Sequence, residues 1–132
     1  MLLERFVRSF IKKSRRERLL YELTTPEKRY RGLDRFCHQS KDLIDPKKVI
    51  LSGDDMERSP EFLRFVREHD ETCLVLSPDF YPNGRSMPLS DATEQALMCP
   101  DAVLVIGGTF AVIFGEAMKG GREKYLLSEG KQ

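Results

Sequence analysis

The chain has few of the residues that build metal sites, disulfide frameworks or membrane spans. Its 132 residues include three cysteines and two histidines, all widely spaced. An odd number of cysteines with no close spacing indicates neither a disulfide framework nor a zinc site. Free thiols are typical of a reducing compartment, so we expect a cytoplasmic protein. No apolar run approaches the ~18 residues that a membrane span needs, so no span is expected.

Motifs that point directly to catalysis or phosphate binding are also scarce. Gly107-Gly108 lacks the third glycine of a dinucleotide-binding fingerprint, and no GxxxxGK[ST] motif occurs. Cys37-His38 is a conceivable nucleophile and base, but adjacent residues of a helix point ~100° apart. The preferred interpretation of Cys37 is a buried structural cysteine.

Charge is abundant, at 33% of the residues, against a usual share of ~25%. Residues 1–35 hold 11 Lys/Arg and 5 Asp/Glu, a net charge of +6, whereas residues 36–132 hold 11 basic and 16 acidic residues, a net charge of −5. The length predicts a single domain over 1–132, with a helical extension over 1–45 and an α/β core over 46–132.

Two helices are predicted before residue 46. Helical spacing of apolar residues predicts one amphipathic helix over residues 2–23. A second helix is expected to begin at Thr25-Pro26 and to end before Pro46. The apolar stripe of the first helix, which includes Phe6 and Phe10, must be buried. The core of the domain is the default place for it, and a homo-oligomer through helix 1 is the alternative.

The following residues alternate between strand and helix patterns. Short apolar, β-rich runs predict strands at 48–52, 72–77 and 101–106. Between them, Ser59 and Ser90 are predicted to cap two helices. The β-α-β-α-β order predicts a parallel or mostly parallel sheet.

Two interpretations of the C-terminal segment remain open. Two β-rich runs flank Gly107-Gly108, a pattern typical of an antiparallel β-hairpin, which would give a mixed sheet. Alternatively, helical spacing over residues 110–119 would give a fully doubly wound, Rossmann-like parallel sheet. The clustering of Phe, Val and Ile favours the hairpin.

Polar or glycine residues follow each of the three predicted strands. If the strands are parallel, their carboxyl ends meet at one sheet edge, where ligands bind. Three carboxylates and a glycine pair then form a candidate ligand site, with Mg²⁺ or sugar hydroxyls on the carboxylates and an anion on the glycine amides: Asp54, Asp55, Asp79, Gly107 and Gly108. The same residue types also end strands simply because they form turns.

A second candidate site is the basic N-terminal segment. Its cations are Lys12, Lys13, Arg15, Arg16 and Arg18, and a second group is Lys28, Arg29, Arg31 and Arg35. Such a stripe can contact the phosphates of RNA or DNA, or lie on an anionic membrane. The alternative is a solvated face that pairs with the acidic remainder of the chain or of a partner subunit.

One family resemblance extends over residues 49–117. The residues "ILSG…PEF…LSPDFYP…CPDAVLVIGG…GEA" look somewhat like those of the nucleoside 2-deoxyribosyltransferase-like group. The resemblance implies a Rossmann-like sheet and a nucleoside pocket lined by Gly53, Asp79, Gly107 and Glu116. In that family pattern Glu116 would be the nucleophile, near the start of a helix.

The function expected from these observations is a non-enzymatic interaction module, which binds a protein partner or RNA through the basic N-terminal helices. The alternative is a nucleotide- or nucleoside-binding protein or enzyme that uses the crevice at the strand ends.

Overall fold

A computed structural model describes residues 2–78 and 84–129, and within them a six-stranded antiparallel sheet lies between two helical layers. The α-helices in these ranges are α1 (Leu2–Phe10), α2 (Arg16–Thr24), α3 (Arg29–His38), α4 (Ser40–Leu43), α5 (Pro60–Glu68) and α6 (Leu89–Met98). The strands are β1 (Val49–Ser52), β2 (Thr72–Leu76), β3 (Arg85–Pro88), β4 (Val103–Ile106), β5 (Phe110–Phe114) and β6 (Lys124–Ser128), in the sheet order β1-β6-β5-β4-β2-β3.

The two faces of the sheet bury two separate apolar clusters. Leu104 and Ile106 of β4 pack with residues of α1 to α4, whereas Val103 and Val105 pack with residues of α5 and α6. Because both faces are covered, β4 and β5 are apolar at every position. Continuous apolar strands are typical of parallel sheets, which explains why the sequence pattern favoured that arrangement.

The parallel or mixed sheet predicted from the sequence is wrong, since every strand pairing within residues 2–78 and 84–129 is antiparallel. The main cause is β3, which the sequence pattern did not predict. It pairs with β2 and reverses the chain once more before α6, so that β4 returns antiparallel to β2. Strand β1 runs in the same direction as β2 but lies at the opposite end of the sheet, with β6, β5 and β4 between them.

The predicted C-terminal hairpin is confirmed. Strands β4 and β5 pair antiparallel, with Ile106 opposite Ala111, and β5 pairs with β6 in the same way. Residues 110–114 are therefore strand, and the helical alternative is wrong. Gly107 is required at the turn because a Cβ there would lie 2.4 Å from the ring of Phe110.

The single helix predicted over residues 2–23 is divided into α1 and α2. Ile11 is fully buried and forms an isolated antiparallel bridge with Ile44. The amide of Lys12 then donates to the Leu43 carbonyl, at 2.8 Å, instead of continuing the helix. Phe6 and Phe10 are buried against the sheet in the chain's own core, so they are not available for an interface.

The predicted helix caps have different outcomes. The Ser59 hydroxyl accepts a hydrogen bond from the Phe62 amide at 3.1 Å, which confirms this residue as the cap of α5. Ser90 is not a cap, because α6 begins at Leu89. Instead, Asp70 accepts hydrogen bonds from both the amide and the hydroxyl of Ser90.

Candidate functional site

The turn between α1 and α2 carries three exposed cations, Lys12, Lys13 and Arg15, which we call the basic connector. A short 3₁₀ turn at Lys13–Arg15 follows the break after Ile11. None of the three side chains forms an ion pair within residues 2–78 and 84–129. This segment contains no apolar residue to bury. The interruption of the helix therefore leaves it in solvent, while the apolar faces of α1 and α2 pack into the core.

The other cations of the first candidate group have partners inside the protein. The Nε of Arg16 donates to the Ile11 carbonyl at 2.9 Å, which closes the turn. The Nε of Arg18 lies 3.4 Å from a carboxylate oxygen of Glu22, but 71% of the Arg18 side chain remains exposed. Arg16 is thus structural, whereas Arg18 can still contact a ligand through its terminal nitrogens.

The second basic group is partly used to join α2 and α3. Arg35 donates to the Glu22 carboxylate, and Arg29 donates to the Leu23 carbonyl. Burial on its own would raise the pKa of Glu22, but the hydrogen bonds and charges of Arg35 and Arg18 outweigh it and lower the pKa. Gly32 allows this close contact, because a Cβ there would lie 2.7 Å from the Cβ of Glu22.

The candidate site at the strand ends is not assembled as the sequence pattern predicted. Asp54 and Asp55 follow β1, but Gly107 and Gly108 follow β4, which runs in the opposite direction, so the two pairs lie at opposite edges of the sheet. Asp79 lies outside the described residues. The Gly108 amide donates to the Glu71 carboxylate at 2.8 Å, so that this amide does not face an open anion site.

The carboxylates at the end of β1 have partners within the protein. Asp54 accepts a hydrogen bond from the Arg122 amide at 2.9 Å, and Asp55 pairs with Arg58. In the part of the chain that the structure describes, no group of three or more His, Cys, Asp or Glu side chains is placed to hold a metal ion. The Mg²⁺ site at these aspartates therefore gains no support.

A cavity of about 540 Å³ opens at the edge where β1 ends. Its walls come from α3, from the end of β1 and from the segment that joins β5 to β6, and they include His38, Asp54 and Glu116. The buried thiol of Cys37 also lines it. Burial raises the pKa of Cys37 to about 12, so this thiol is not activated as a nucleophile.

His38 joins the helical layer to the sheet across this cavity. Its Nδ1 lies 2.8 Å from the Asp34 carbonyl and its Nε2 lies 3.0 Å from the Glu116 carboxylate. A carbonyl and an ionised carboxylate only accept hydrogen bonds, so both ring nitrogens must donate, and the favoured form is the imidazolium. The hydrogen bond to the Asp34 carbonyl is the largest cause that raises the pKa of His38. The nearby carboxylates add to it, and burial opposes it.

This contact predicts a pH-dependent contribution to stability. Because folding raises the pKa of His38 above its ordinary 6.5, the contribution should be complete below that value and should disappear as the pH rises through the folded-state pKa. Unfolding free energies of the wild type and of His38→Gln, measured from pH 5 to pH 9, should differ most at pH 5. We expect a difference below ~1 kcal/mol, since the pair is half exposed.

A matched variant tests the partner. Glu116→Gln should lose less than His38→Gln at pH 5, because the hydrogen bond to the Asp34 carbonyl remains, and it should cause no further loss when it is combined with His38→Gln. A difference between wild type and His38→Gln that is constant from pH 5 to pH 9 would contradict the ion pair.

The residues of the nucleoside pocket implied by the family resemblance are only partly brought together. Gly53 and Glu116 line the same cavity, but Gly107 lies at the opposite edge of the sheet. Glu116 follows β5 in a non-helical segment rather than at a helix start, and the sheet is not the Rossmann-like sheet that the resemblance implies. A nucleoside or nucleotide ligand stays a prediction.

Two cations that sequence reasoning missed are central to this edge of the sheet. The Arg122 guanidinium donates to four backbone carbonyls, and the ammonium of Lys124, which is 6% exposed, pairs with Glu57. Both residues occur in the run "GGREK", which contains no apolar residue to indicate burial. Only the polar acceptors brought around them by the fold make the burial of Lys124 and the partial burial of Arg122 favourable.

Comparison of the chain with protein-family models, with curated proteins and with solved structures finds no significant match.

The described helices include none that is both long enough and apolar enough to cross a bilayer. Cys37, Cys73 and Cys99 are all free thiols. The cytoplasmic location expected from the sequence stays a prediction.

Proposed function

We propose that this protein is a non-enzymatic binding module that contacts the phosphates of RNA through the basic connector. The observation that carries the proposal is that Lys12, Lys13 and Arg15 are exposed and form no ion pair with the described residues. The acidic residues that the structure describes therefore do not neutralise them. Some other N-terminal cations do have carboxylate partners, as the contacts of Arg5 with Glu129 and of Arg8 with Glu4 illustrate.

Phosphate is the ligand that best fits such a group. Long, mobile cations on a solvent-exposed turn release counterions from a nucleic acid when they bind, and this release favours association. A nucleic acid offers its phosphates one after another along an extended chain, which suits cations spread over a turn. The connector joins two helices of the layer formed by α1 to α4, and none of its three cations lines the cavity at the end of β1.

The test is the salt dependence of binding to a single-stranded RNA. Replacing Lys12, Lys13 and Arg15 together with glutamine should make the slope of log K against log[salt] less steep by about 2, since each phosphate contact to a single strand contributes ~0.7. The affinity difference from wild type should therefore shrink as salt is raised. Fluorescence anisotropy of a labelled 20-mer between 50 and 300 mM KCl measures both quantities.

A control variant removes the same charge from elsewhere on the surface. Arg64 and Arg67 lie on α5, in the opposite helical layer, and Lys119 lies in the turn before β6; all three are exposed. Replacing these three with glutamine should leave the slope unchanged within about 0.5. An equal loss of slope in both variants, or no RNA binding by the wild type at 50 mM KCl, would reject the proposal.

A further inference from the structure

Helix α2 places an exposed aromatic ring beyond the basic connector. Tyr21 is 56% exposed, although large apolar side chains of this chain are mostly buried. It follows Arg18 by three residues, so the two side chains are neighbours on the helix surface. Arg15, Arg18 and Tyr21 thus recur every third residue, and Tyr21 lies about 9 Å along the helix axis from Arg15.

From this arrangement we infer that α2 is a platform for single-stranded RNA, on which the Tyr21 ring stacks against an unpaired base. The inference rests on the proposed function and restricts its ligand from RNA in general to single-stranded RNA. The basic connector would contact phosphates on one side of the base, and Arg18 would contact the phosphate nearest the ring through the terminal nitrogens that Glu22 leaves free. Every base has a π-face, so the contact selects single strands without selecting a sequence.

A duplex does not offer the same contact. Its bases are stacked on one another and are not accessible to a ring on a convex helix, whereas splayed bases of single strands stack readily on tyrosine. A duplex would therefore gain only the phosphate contacts of the basic connector. The surface should bind single-stranded RNA in preference to double-stranded RNA of the same length.

The chain offers a matched control in Tyr30. This ring is even more exposed, at 64%, but it lies on α3 with Glu27 three residues before it and Asp34 four residues after it. No cation occupies those helical neighbour positions. Tyr21 has one such carboxylate, the exposed Glu17 four residues before it, together with the cation Arg18, whereas both charged neighbours of Tyr30 are carboxylates. We therefore expect Tyr30 to contribute no stacking contact.

The experiment compares single-stranded and double-stranded RNA of equal length at 100 mM KCl. Tyr21→Ala should weaken binding of the single strand by about 5- to 150-fold, the effect of losing one stacked base. Tyr21→Phe should bind within twofold of wild type, because the ring is retained. Tyr21→Ala should leave duplex affinity unchanged, and Tyr30→Ala should leave both affinities unchanged. Because Tyr21 is exposed, thermal unfolding of Tyr21→Ala should match that of the wild type.

The outcomes separate this inference from the proposed function. Equal affinity for single strand and duplex, with no effect of Tyr21→Ala but a loss in the basic-connector variant, would overturn the stacking platform and keep phosphate binding. Absence of salt-dependent binding to either RNA would overturn both. A loss in Tyr21→Phe as large as that in Tyr21→Ala would also reject stacking, because it would assign the contact to the hydroxyl.

Discussion

Lys124→Met is expected to lower the free energy of unfolding by about 3–5 kcal/mol, the usual cost of removing one partner from a buried ion pair. The Lys124 ammonium lies 2.8 Å from a carboxylate oxygen of Glu57 and also donates to the Asp54 carbonyl. Its side chain is 6% exposed and that of Glu57 is 14% exposed. Methionine fills a similar volume but leaves the carboxylate without its main partner. Urea unfolding at pH 7 measures the loss.

A second variant separates the ion pair from simple packing. Replacing Glu57 with glutamine in the Lys124→Met background should recover part of the lost stability, since no unpaired charge then remains buried. A loss in Lys124→Met of less than ~1 kcal/mol, or a further loss in the double variant, would show that the pair does not stabilise the fold.

The same pair predicts the behaviour in acid. Burial by itself would raise the pKa of Glu57, but the hydrogen bond and charge of Lys124 outweigh it and lower the pKa. A carboxylate with a lowered pKa contributes stability above its ordinary pKa of 4.5. That contribution is lost as the pH falls through the folded-state value. The difference between wild type and the double variant should therefore shrink below pH 4.

Arg122→Met is also expected to lower the free energy of unfolding by about 3–5 kcal/mol, because it removes hydrogen bonds to several carbonyls at once. The guanidinium donates to the carbonyls of Ala96, Cys99 and Asp101, which follow or end α6, and to that of Gly115 after β5. Burial lowers the pKa of Arg122, yet the four acceptors hold the charged group in place. Methionine would remove this donor from all four carbonyls. The Ala96 carbonyl keeps its hydrogen bond from the Cys99 amide at 3.1 Å, so the loss comes mainly from the other three, at ~1–3 kcal/mol for each that water cannot reach.

Arg122→Lys is the informative comparison. Lysine keeps the charge, but a single ammonium cannot reproduce the planar fork that reaches four carbonyls in different directions. It should therefore recover less than half of the loss. Arg64→Met, at an exposed position of α5, should stay within ~0.5 kcal/mol of wild type. Full recovery with lysine would mean that charge, rather than hydrogen-bond geometry, explains the role of Arg122.

The local elements of this fold could be predicted to the extent that neighbouring residues specify them. The Ser59-Pro60 cap and the glycine pair between β4 and β5 act over a few residues, and both predictions are confirmed. The division between α1 and α2 could not be predicted, because it depends on the pairing of Ile11 with Ile44, 33 positions along the chain. The spacing of apolar residues is the same whether one helix or two consecutive helices carry them.

The two candidate sites could likewise be predicted only in part from the sequence. The positive charge at Lys12, Lys13 and Arg15 can be read directly from the sequence. Whether acidic residues pair with these cations depends on which surfaces the fold brings together. The predicted site at Asp54, Asp55, Gly107 and Gly108 required three parallel strands. One unpredicted strand, β3, reverses the chain and moves the glycine pair to the opposite edge of the sheet.

The α/β class, the C-terminal hairpin and the concentration of positive charge before residue 36 could all be predicted from the sequence. These depend on periodicity, turn residues and composition, which are local properties of the chain. The antiparallel order of the sheet, the burial of Lys124, the carbonyls gathered around Arg122 and the lack of ion pairs at the basic connector follow only from the folded structure. Each of these depends on contacts between residues far apart in sequence, where a buried charge is stable only once its distant partner is in place.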